Sequence, residues 1–143
     1  PIYTLPIGDV CAVTPLWGLW GDGDEWILEV AHVEARREDN VVDCVVTSEI
    51  IWDGVPLNEA RGYDESFGYQ QINDAPFYFF RRAGVWGIVY KGQEVPLGYI
   101  HIPHHQCCSG AELNPRRSHS MVAFFALRDE VWHYVEIGAF APE

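Results

Sequence analysis

Lysine is almost absent from this 143-residue chain, since Lys91 is the only one and arginine supplies the rest of its nine basic residues. Twenty-one acidic residues give a formal net charge of −12 at pH 7. A nucleic-acid-binding surface needs positive charge to displace phosphate counterions, so this balance argues against DNA or RNA as a partner. It also argues against electrostatic docking on an anionic membrane, and it favours cations and basic partners.

Long apolar runs and common catalytic motifs are missing as well. No run approaches the 18 or more apolar residues of a membrane-spanning helix. The chain has no P-loop, no dinucleotide-binding fingerprint and no Gly-x-Ser-x-Gly motif. The sequence therefore indicates no reaction, and a non-enzymatic role is the interpretation we favour.

The start of the chain also lacks a targeting pattern. Residues 1–5 have neither the charged nor the apolar region of a signal peptide. Two interpretations stay open. Either the chain is cytoplasmic and has lost an initiator methionine, or it is the mature form of an exported protein.

Aromatic residues are the main feature that the chain does have. Apolar residues make up 48% and aromatic residues 14% of the sequence. Aromatic and β-branched side chains suit the pleated surface of a sheet. We therefore predict an all-β fold, or a mainly β fold with one short helix. We expect antiparallel hairpins arranged as a sandwich or an open barrel, in a single domain that spans residues 1–143.

Local signals divide the chain into segments. Residues 1–25 are rich in Gly, Pro and Asp, which predicts a loop-rich N-terminal arm. Residues 26–33 are compatible with a strand or with the start of a helix, and we favour a strand because neighbouring segments are strands. Residues 57–61 predict one helical turn that ends at Gly62. Residues 63–68 are interpreted as a loop.

Two similar aromatic hairpins are the clearest pattern, and they suggest an internal repeat. They cover residues 76–92 and 121–138, and their turns differ in length by one residue. We predict that the matching residues occupy equivalent places in one core. The matching pairs are Phe79-Phe80 with Phe124-Phe125, and Val85-Trp86 with Val131-Trp132.

The connection between the hairpins, residues 93–120, concentrates chemically reactive side chains. It begins with a strand near residues 97–102 and continues as a long loop. Zinc or copper is one interpretation of its four candidate ligands, although adjacent His-His and Cys-Cys pairs differ from the usual ligand spacing. A disulfide-anchored loop with surface histidines is the alternative that we favour, and a Cys-His nucleophile is a third. The four candidate ligands are His104, His105, Cys107 and Cys108.

The even number of cysteines is compatible with two disulfides and an oxidising compartment. Free buried thiols and metal ligands are the alternatives. A bond between neighbouring cysteines is strained, so each member of the adjacent pair is expected to bond to one of the other two. The four cysteines are Cys11, Cys44, Cys107 and Cys108.

Two further features suggest ligand contacts near the N-terminus. Trp17 and Trp20 lie between glycines in a predicted aromatic loop, which favours a protein-binding patch or, alternatively, a sugar-stacking platform. The acidic turn at Asp22, Asp24 and Glu25 offers carboxylates to a calcium ion, but an EF-hand loop needs more ligands at fixed spacing. A solvated turn is the interpretation we favour there.

One segment resembles a WG-type β-hairpin repeat. The matching features are a Gly-x-Trp-Gly strand, a glycine turn, and an apolar strand that ends near Pro and Tyr. They lie in Gly84-Val85-Trp86-Gly87, Gly92 and Pro96-Leu97-Gly98-Tyr99. This resemblance implies a β-hairpin and carries no catalytic residues.

The chain is also similar to an uncharacterised bacterial family, over about residues 50–138. Members often appear as exported or membrane-anchored proteins without an assigned activity, so the resemblance implies location more than mechanism. The matching elements are Gly62-Tyr63-Asp64-Glu65, Pro76-Phe77-Tyr78-Phe79-Phe80, Cys107-Cys108, Asn114-Pro115 and Tyr134-Val135-Glu136-Ile137-Gly138.

These observations together predict a non-catalytic structural or protein-interaction domain. We expect it to be an extracytoplasmic subunit of a larger assembly whose partner is a protein, including a second copy in a homo-oligomer or filament. One alternative is a metal-binding or hydrolytic protein that uses residues 104–108. The other is a carbohydrate-binding module that uses loop aromatics.

Overall fold

The computed structural model describes residues 16–106 and 112–139. Of these residues, 69% lie in strands and five form a short helix. The strands form three antiparallel sheets, and within the described residues none of them closes into a barrel. The predicted mainly β fold is therefore confirmed. None of the described helices is long and apolar enough to span a membrane.

Consecutive elements are separated by at most three residues, except that residues 100–115 separate β8 from β9. In chain order they are β1 (Leu16–Asp22), β2 (Glu25–Glu38), β3 (Val41–Trp52), β4 (Val55–Pro56), α1 (Leu57–Arg61), β5 (Glu65–Ile72), β6 (Ala75–Arg82), β7 (Val85–Tyr90), β8 (Gln93–Tyr99), β9 (Arg116–Arg117), β10 (Met121–Arg128) and β11 (Val131–Gly138). The chain forms two compact units, Pro1–Phe67 and Gly68–Glu143, with the boundary inside β5. The single domain spanning residues 1–143 stays a prediction.

The first unit is built on a sheet of order β1-β2-β3-β4. Its long β2–β3 hairpin turns at Asp39 and Asn40, whose φ angles of 44° and 70° suit a two-residue type I′ turn. The strand favoured for residues 26–33 is confirmed, because β2 pairs with β1 on one side and β3 on the other. The predicted helical turn is also confirmed, and Gly62 ends it with a left-handed φ of 69°.

Two loop predictions were wrong. The aromatic segment at residues 17–22 belongs to β1, and only Gly23 and Asp24 form the tight turn. Most of residues 63–68 belongs to β5, where Phe67 is buried. Gly and polar residues suggested loops in both places, but backbone pairing and burial of the intervening aromatics hold these segments in sheets.

The second unit contains the sheets β5-β6-β7-β8 and β11-β10-β9. The β6–β7 and β10–β11 pairs confirm both predicted hairpins. Phe79 is 1% exposed, and its ring meets that of Phe124 edge to face with centroids 4.9 Å apart. The Phe77 ring meets that of Phe79 with centroids 5.2 Å apart, and Phe77, Ile102 and Val122 are also at most 1% exposed, so they belong to the core of the second unit.

The two hairpins differ in which face carries the tryptophan. Strand β6 ends three residues after Phe79, whereas β10 ends four residues after Phe124. Because side chains alternate between the faces of a strand, one added residue moves the next strand's tryptophan to the opposite face. Trp86 is accordingly 3% exposed and Trp132 is 50% exposed. The prediction that Val85-Trp86 and Val131-Trp132 occupy equivalent core places was therefore wrong for Trp132, and also for Val85 and Val131, which are 40% and 54% exposed.

The connection between the hairpins begins as β8 and crosses to β10. The N–H groups of Ile100 and Leu127 donate to the carbonyls of Leu127 and His101 respectively, both at 2.9 Å. Further along, the Asn114 side chain accepts a hydrogen bond from the Gln106 N–H at 2.7 Å and donates one to the Gln106 carbonyl at 2.8 Å, and the Gln106 side chain accepts one from the Leu113 N–H at 2.7 Å. These bonds join residues on either side of the undescribed residues 107–111.

Gly87, the glycine of the Trp-Gly pair, provides a test of this packing. A β-carbon there would lie 2.7 Å from the Val95 carbonyl oxygen and 2.8 Å from the Phe80 ring. We expect Gly87→Ala to lower the free energy of unfolding by about 1–3 kcal/mol, because the core must shift to admit the methyl group. The measurement is the midpoint of urea denaturation.

Gly21→Ala is the matched control, because a β-carbon at Gly21 meets nothing within 4 Å. Its effect should stay within about 0.5 kcal/mol. Equal stability of the two variants would contradict the close approach at Gly87.

Candidate functional site

The outer face of the β9–β10–β11 sheet carries the most exposed aromatic surface of the described residues. Cross-strand pairing arranges this face in three rows. The first row holds His101, Leu127 and Trp132, the second holds Phe125 and Tyr134, and the third holds Arg116, Ala123 and Glu136. We call the five residues of the first two rows the aromatic face.

The rings of the aromatic face contact one another while remaining open to solvent. Trp132 is 50% and Tyr134 60% exposed. The Phe125 and Tyr134 ring centroids lie 5.4 Å apart, and those of His101 and Trp132 lie 6.0 Å apart. Exposed tryptophan and tyrosine in one patch are typical of binding surfaces, because such rings otherwise gain free energy by burial.

The opposite face of β10 supports this patch from below. Val122, Phe124 and Ala126 are at most 1% exposed. Close-packed side chains of this kind resist displacement, so they fix β10, and β11 with its exposed rings is paired to β10 along its full length. The aromatic face is therefore a pre-organised surface on sheet rather than a mobile loop.

The third row adds polar groups beside the rings. The Tyr134 hydroxyl donates a hydrogen bond to Oε1 of Glu136 at 3.0 Å. This hydrogen bond, assisted by the carboxylate's negative charge, raises the pKa of Tyr134 above its ordinary value of 10.0. The guanidinium of Arg116 acts in the opposite direction and lowers that pKa. The patch therefore offers a carboxylate, a phenol and a guanidinium at one end.

The free edge of β11 coincides with the aromatic face. Among the described strands β11 pairs only with β10. The Leu127 backbone is bonded to residues 100 and 101, so it faces away from β11. Backbone groups alternate in direction along an antiparallel strand. The N–H and C=O groups of Trp132, Tyr134 and Glu136 therefore point outward, away from β10.

Within the part of the chain that the structure describes, no feature of β11 blocks further pairing at this edge. Its eight residues contain no proline or lysine, and their register with β10 continues without a bulge. Natural edge strands commonly carry such features to prevent further pairing. A regular aromatic edge without them is suited to accept another strand.

The predicted metal site involves His104 and His105, whose ring centroids are 5.2 Å apart. Nδ1 of His104 donates to the Ile102 carbonyl at 2.7 Å, and its ring meets Trp86 edge to face at 5.4 Å. No group of three or more His, Cys, Asp or Glu side chains within residues 16–106 and 112–139 is arranged to hold a metal ion. Zinc and calcium remain predictions, since Cys107 and Cys108 lie outside the described residues.

The other predicted binding residues, Trp17 and Trp20, are half-buried on β1. The Trp20 ring lies against its own strand, since a β-carbon at Gly18 would fall within 2.7 Å of ring atoms. They therefore offer less open surface than Trp132 and Tyr134. Glu25, in the predicted calcium turn, accepts a hydrogen bond from the Trp52 indole at 2.8 Å.

Of the four cysteines, only Cys44 lies within the described residues. It is on an exposed part of β3 and is disulfide-bonded. Cys11, Cys107 and Cys108 fall outside the described residues. The connectivity and the two-disulfide arrangement stay predictions.

A cluster of buried polar side chains in the first unit has residue types that are common in active sites. Its side chains instead form hydrogen bonds with backbone groups along the edge of β3. The Ser48 N–H donates to Glu65 Oε1 at 3.2 Å, and the Ile50 N–H donates to Ser66 Oγ at 2.9 Å. Asn58 donates through its side-chain amide to the Ser48 carbonyl at 3.1 Å. These side chains replace a missing neighbouring strand, because β4 pairs with β3 only at two positions.

The same cluster fixes Glu49 between two donors. The Asn58 N–H, at the start of α1, donates to Glu49 Oε2 at 3.1 Å, and Nε2 of His32 lies 2.8 Å from Oε1. Both carboxylate oxygens of this 7% exposed residue are thereby satisfied. The arrangement suits a structural carboxylate better than a general base, which needs an oxygen directed at substrate.

A groove on the outer face of β6–β8 is too small to be the leading ligand site. Its volume is about 260 Å³, below the roughly 300–1,000 Å³ of typical small-molecule pockets. Arg82 and Glu94 form a bidentate pair across it at 2.7 and 3.0 Å. The strongest polar groups of the groove are therefore satisfied by each other.

The sequence contained a signal for the aromatic face that the repeat interpretation did not use. Both turns contain two residues, but Trp86 follows Phe79 by seven residues and Trp132 follows Phe124 by eight, so the two tryptophans lie on opposite faces if Phe79 and Phe124 lie on the same one. Phe124 pairs with Val135 across the two-residue turn, so Val135 shares its inner face, and Tyr134 and Trp132 lie on the outer face. The contribution of His101 depends on a distant backbone bridge, for which the sequence has no local signal.

No protein family, curated protein or solved structure matches the chain. The resemblances to WG-type repeats and to the bacterial family stay predictions. The aromatic face and the β11 edge must be interpreted from their own chemistry.

Ser66 tests the interpretation of the buried polar cluster. Ser66 is 0% exposed, accepts from the Ile50 N–H and donates to Asn58 Oδ1 at 2.7 Å. We expect Ser66→Ala to cost about 1–3 kcal/mol of unfolding free energy, since the Ile50 N–H stays buried without its acceptor. Urea denaturation gives the value, and the exposed-loop variant Ser118→Ala is the control. Equal stability of the two variants would count against the role of Ser66 as a cover for the β3 edge.

Tyr134 tests the polar end of the aromatic face. Its phenol donates to Glu136 only while protonated, so Glu136→Gln should lower the Tyr134 pKa towards 10.0. The pKa is measured by NMR titration of the labelled tyrosine ring, with Tyr134→Phe to assign the signal. Glu130→Gln, in the exposed β10–β11 turn, should leave it unchanged. A Tyr134 titration that Glu136→Gln does not move would refute the hydrogen bond.

Proposed function

We propose that the protein is a non-catalytic protein-interaction domain that binds an extended segment of its partner along the β11 edge. The observation that carries this proposal is the coincidence of the outward backbone groups of Trp132, Tyr134 and Glu136 with the exposed rings of Trp132 and Tyr134. Backbone pairing supplies affinity in this mode of recognition, and neighbouring side chains supply specificity.

The chemistry of the aromatic face supports a protein partner. Tryptophan, tyrosine and arginine dominate the binding energy of protein interfaces, especially at their centre. Trp132 and Tyr134 lie at the centre of the patch, whereas Arg116 and Glu136 lie at one end. An apolar centre with charged groups at the rim is the usual arrangement.

An extracytoplasmic subunit of a larger assembly remains part of the proposal. The predicted pair of disulfides and the disulfide-bonded state of Cys44 favour an oxidising compartment. The net charge of −12 keeps the chain soluble before it binds. A metal-binding or hydrolytic role at residues 104–108 and sugar binding stay alternatives, and the experiment below includes both as outcomes.

Selection from a random peptide library, with a glycan panel and a zinc titration as counter-probes, tests the proposal. We expect extended peptides to bind and to be weakened at least tenfold by Trp132→Ser or Glu136→Pro. Proline at residue 136 removes an N–H that points away from β10, so the hairpin should survive. Binding should protect the amides of Tyr134 and Glu136 from hydrogen exchange.

Glu136→Gln is the matched control, since it retains the outward N–H group. It should weaken peptides far less than Glu136→Pro does. Binding of glycans or zinc alone, or peptide binding that neither variant weakens, would overturn the proposed function. Circular dichroism checks that each variant keeps its β structure.

A further inference from the structure

We infer that the strand received by the β11 edge is β11 of a second copy of this chain, antiparallel and centred on Tyr134. The inference rests on the proposed function and names the partner and its register. It follows from three features of β11: the positions of its outward backbone groups, the side chains that each register would bring together, and the incomplete burial of its inner face.

The outward backbone groups are symmetric about Tyr134. They belong to Trp132, Tyr134 and Glu136, which are spaced evenly along β11. In an antiparallel pair centred on Tyr134, Tyr134 lies opposite Tyr134 of the second copy, and Trp132 lies opposite Glu136 of the second copy. Each hydrogen-bonded pair exchanges two bonds, so all three residues are used in about six hydrogen bonds.

Side chains in this register are compatible. No like charges face each other, and the two tyrosine rings form an aromatic cross-strand pair, which is favourable. On the inner face, His133 lies opposite Val135 and Val131 opposite Ile137.

The neighbouring registers are worse. Centring the pair on Glu136 places two carboxylates directly opposite each other, which is destabilising. Centring it on Trp132 places Glu130, in the β10–β11 turn, opposite Tyr134 and leaves Glu136 without a partner. The register centred on Tyr134 is therefore the one that the sequence of β11 favours.

The inner face of β11 is incompletely covered. Its side chains His133, Val135 and Ile137 are only partly buried, whereas Val122 and Phe124 opposite them on β10 are 1% exposed. A strand added beyond β11 removes further apolar surface from water there. The inner side chains at this edge are therefore less buried than those of β10 in the same core.

The symmetry of this contact limits the assembly to a dimer. A two-fold axis through the Tyr134 pair relates the copies, and both β11 edges are consumed. The result is a six-stranded sheet with β9 at each end. This geometry favours the homo-oligomer over the filament among the assemblies expected from the sequence.

Charge and size predict how strongly the copies associate. Each carries a net charge of −12, so the copies repel one another at low ionic strength. Salt shortens the Debye length to about 8 Å at physiological strength, so dimerisation should strengthen as salt is added. A basic peptide partner would show the opposite dependence. An eight-residue edge buries less than a standard interface, so the equilibrium should be concentration-dependent.

Sedimentation of the whole chain over a range of concentration and salt tests the inference. The expected mass rises from 16.3 kDa towards twice that value with concentration, and the dissociation constant falls as salt increases. Glu136→Pro should abolish the dimer, whereas Glu136→Gln, which keeps the outward N–H group, should weaken it far less. Hydrogen exchange on the dimer should show protection centred on the Tyr134 amide.

Tyr134→Cys provides a test of register. Hydrogen-bonded antiparallel pairs bring Cα atoms to about 5.5 Å, within the range that a disulfide spans. Oxidation should therefore cross-link this variant to a covalent dimer. Phe125→Cys lies on the same face but one strand inward, and should give little dimer.

The outcomes separate the two proposals. A strictly monomeric chain that still binds library peptides overturns the second copy as partner and leaves the proposed function standing. A dimer that persists in Glu136→Pro, cross-links through Phe125→Cys, or weakens as salt rises overturns the β11 register. A monomer that also binds no peptide overturns both.

Discussion

The alternation of side chains along β10 is the constraint on which the proposed binding surface depends. Phe124 must point inward, because its ring packs edge to face on Phe79 in the core. Once Phe124 is fixed, every other residue of the hairpin is assigned to a face. Trp132 and Tyr134 are outside for this reason, and no local preference of either residue decides it. A pairing register shifted by one residue along β11 would turn these rings towards the core and expose His133 and Val135 instead.

The structure treats two strand edges in contrasting ways. Along β3, Glu65, Ser66 and Asn58 satisfy the outward backbone groups, so a neighbouring strand is unnecessary. Along β11, no side chain of the described residues does the same at Tyr134. An unpaired backbone group exposed to water costs little, whereas a buried one costs about as much as a lost hydrogen bond. The covered edge is therefore a requirement of folding, and the open edge is a surface on which a partner can be selected.

Much of the fold was predictable because its signals are local. Two-residue turns such as Asp39-Asn40 and Asp53-Gly54 carry residues that tolerate positive φ, and they separate apolar runs of strand length. The predicted single helical turn ends at a left-handed glycine for the same reason. Residues 63–68 were mistaken for a loop because their burial depends on distant contacts. The faces of the second hairpin depend on its pairing register, and on the one additional residue that separates Trp132 from Phe124 compared with Trp86 from Phe79.

The site was less predictable because it contains none of the rare residue types that usually suggest functional chemistry in a sequence, apart from His101. Histidines, cysteines and glycine-flanked tryptophans suggested residues 104–108 and β1, yet Trp20 folds back on its own strand and His104 packs on Trp86. The candidate surface instead uses ordinary aromatic residues whose importance comes from being exposed where the repeat predicts burial. Trp86 and Trp132 illustrate the general point. Two copies of a repeat can carry the same residue at matching positions, with one of these residues buried and the other exposed. The exposed residue is then not constrained by packing in the core. An exposed aromatic ring at such a position adds no stability to the isolated domain, which supports the proposal that it contacts another molecule.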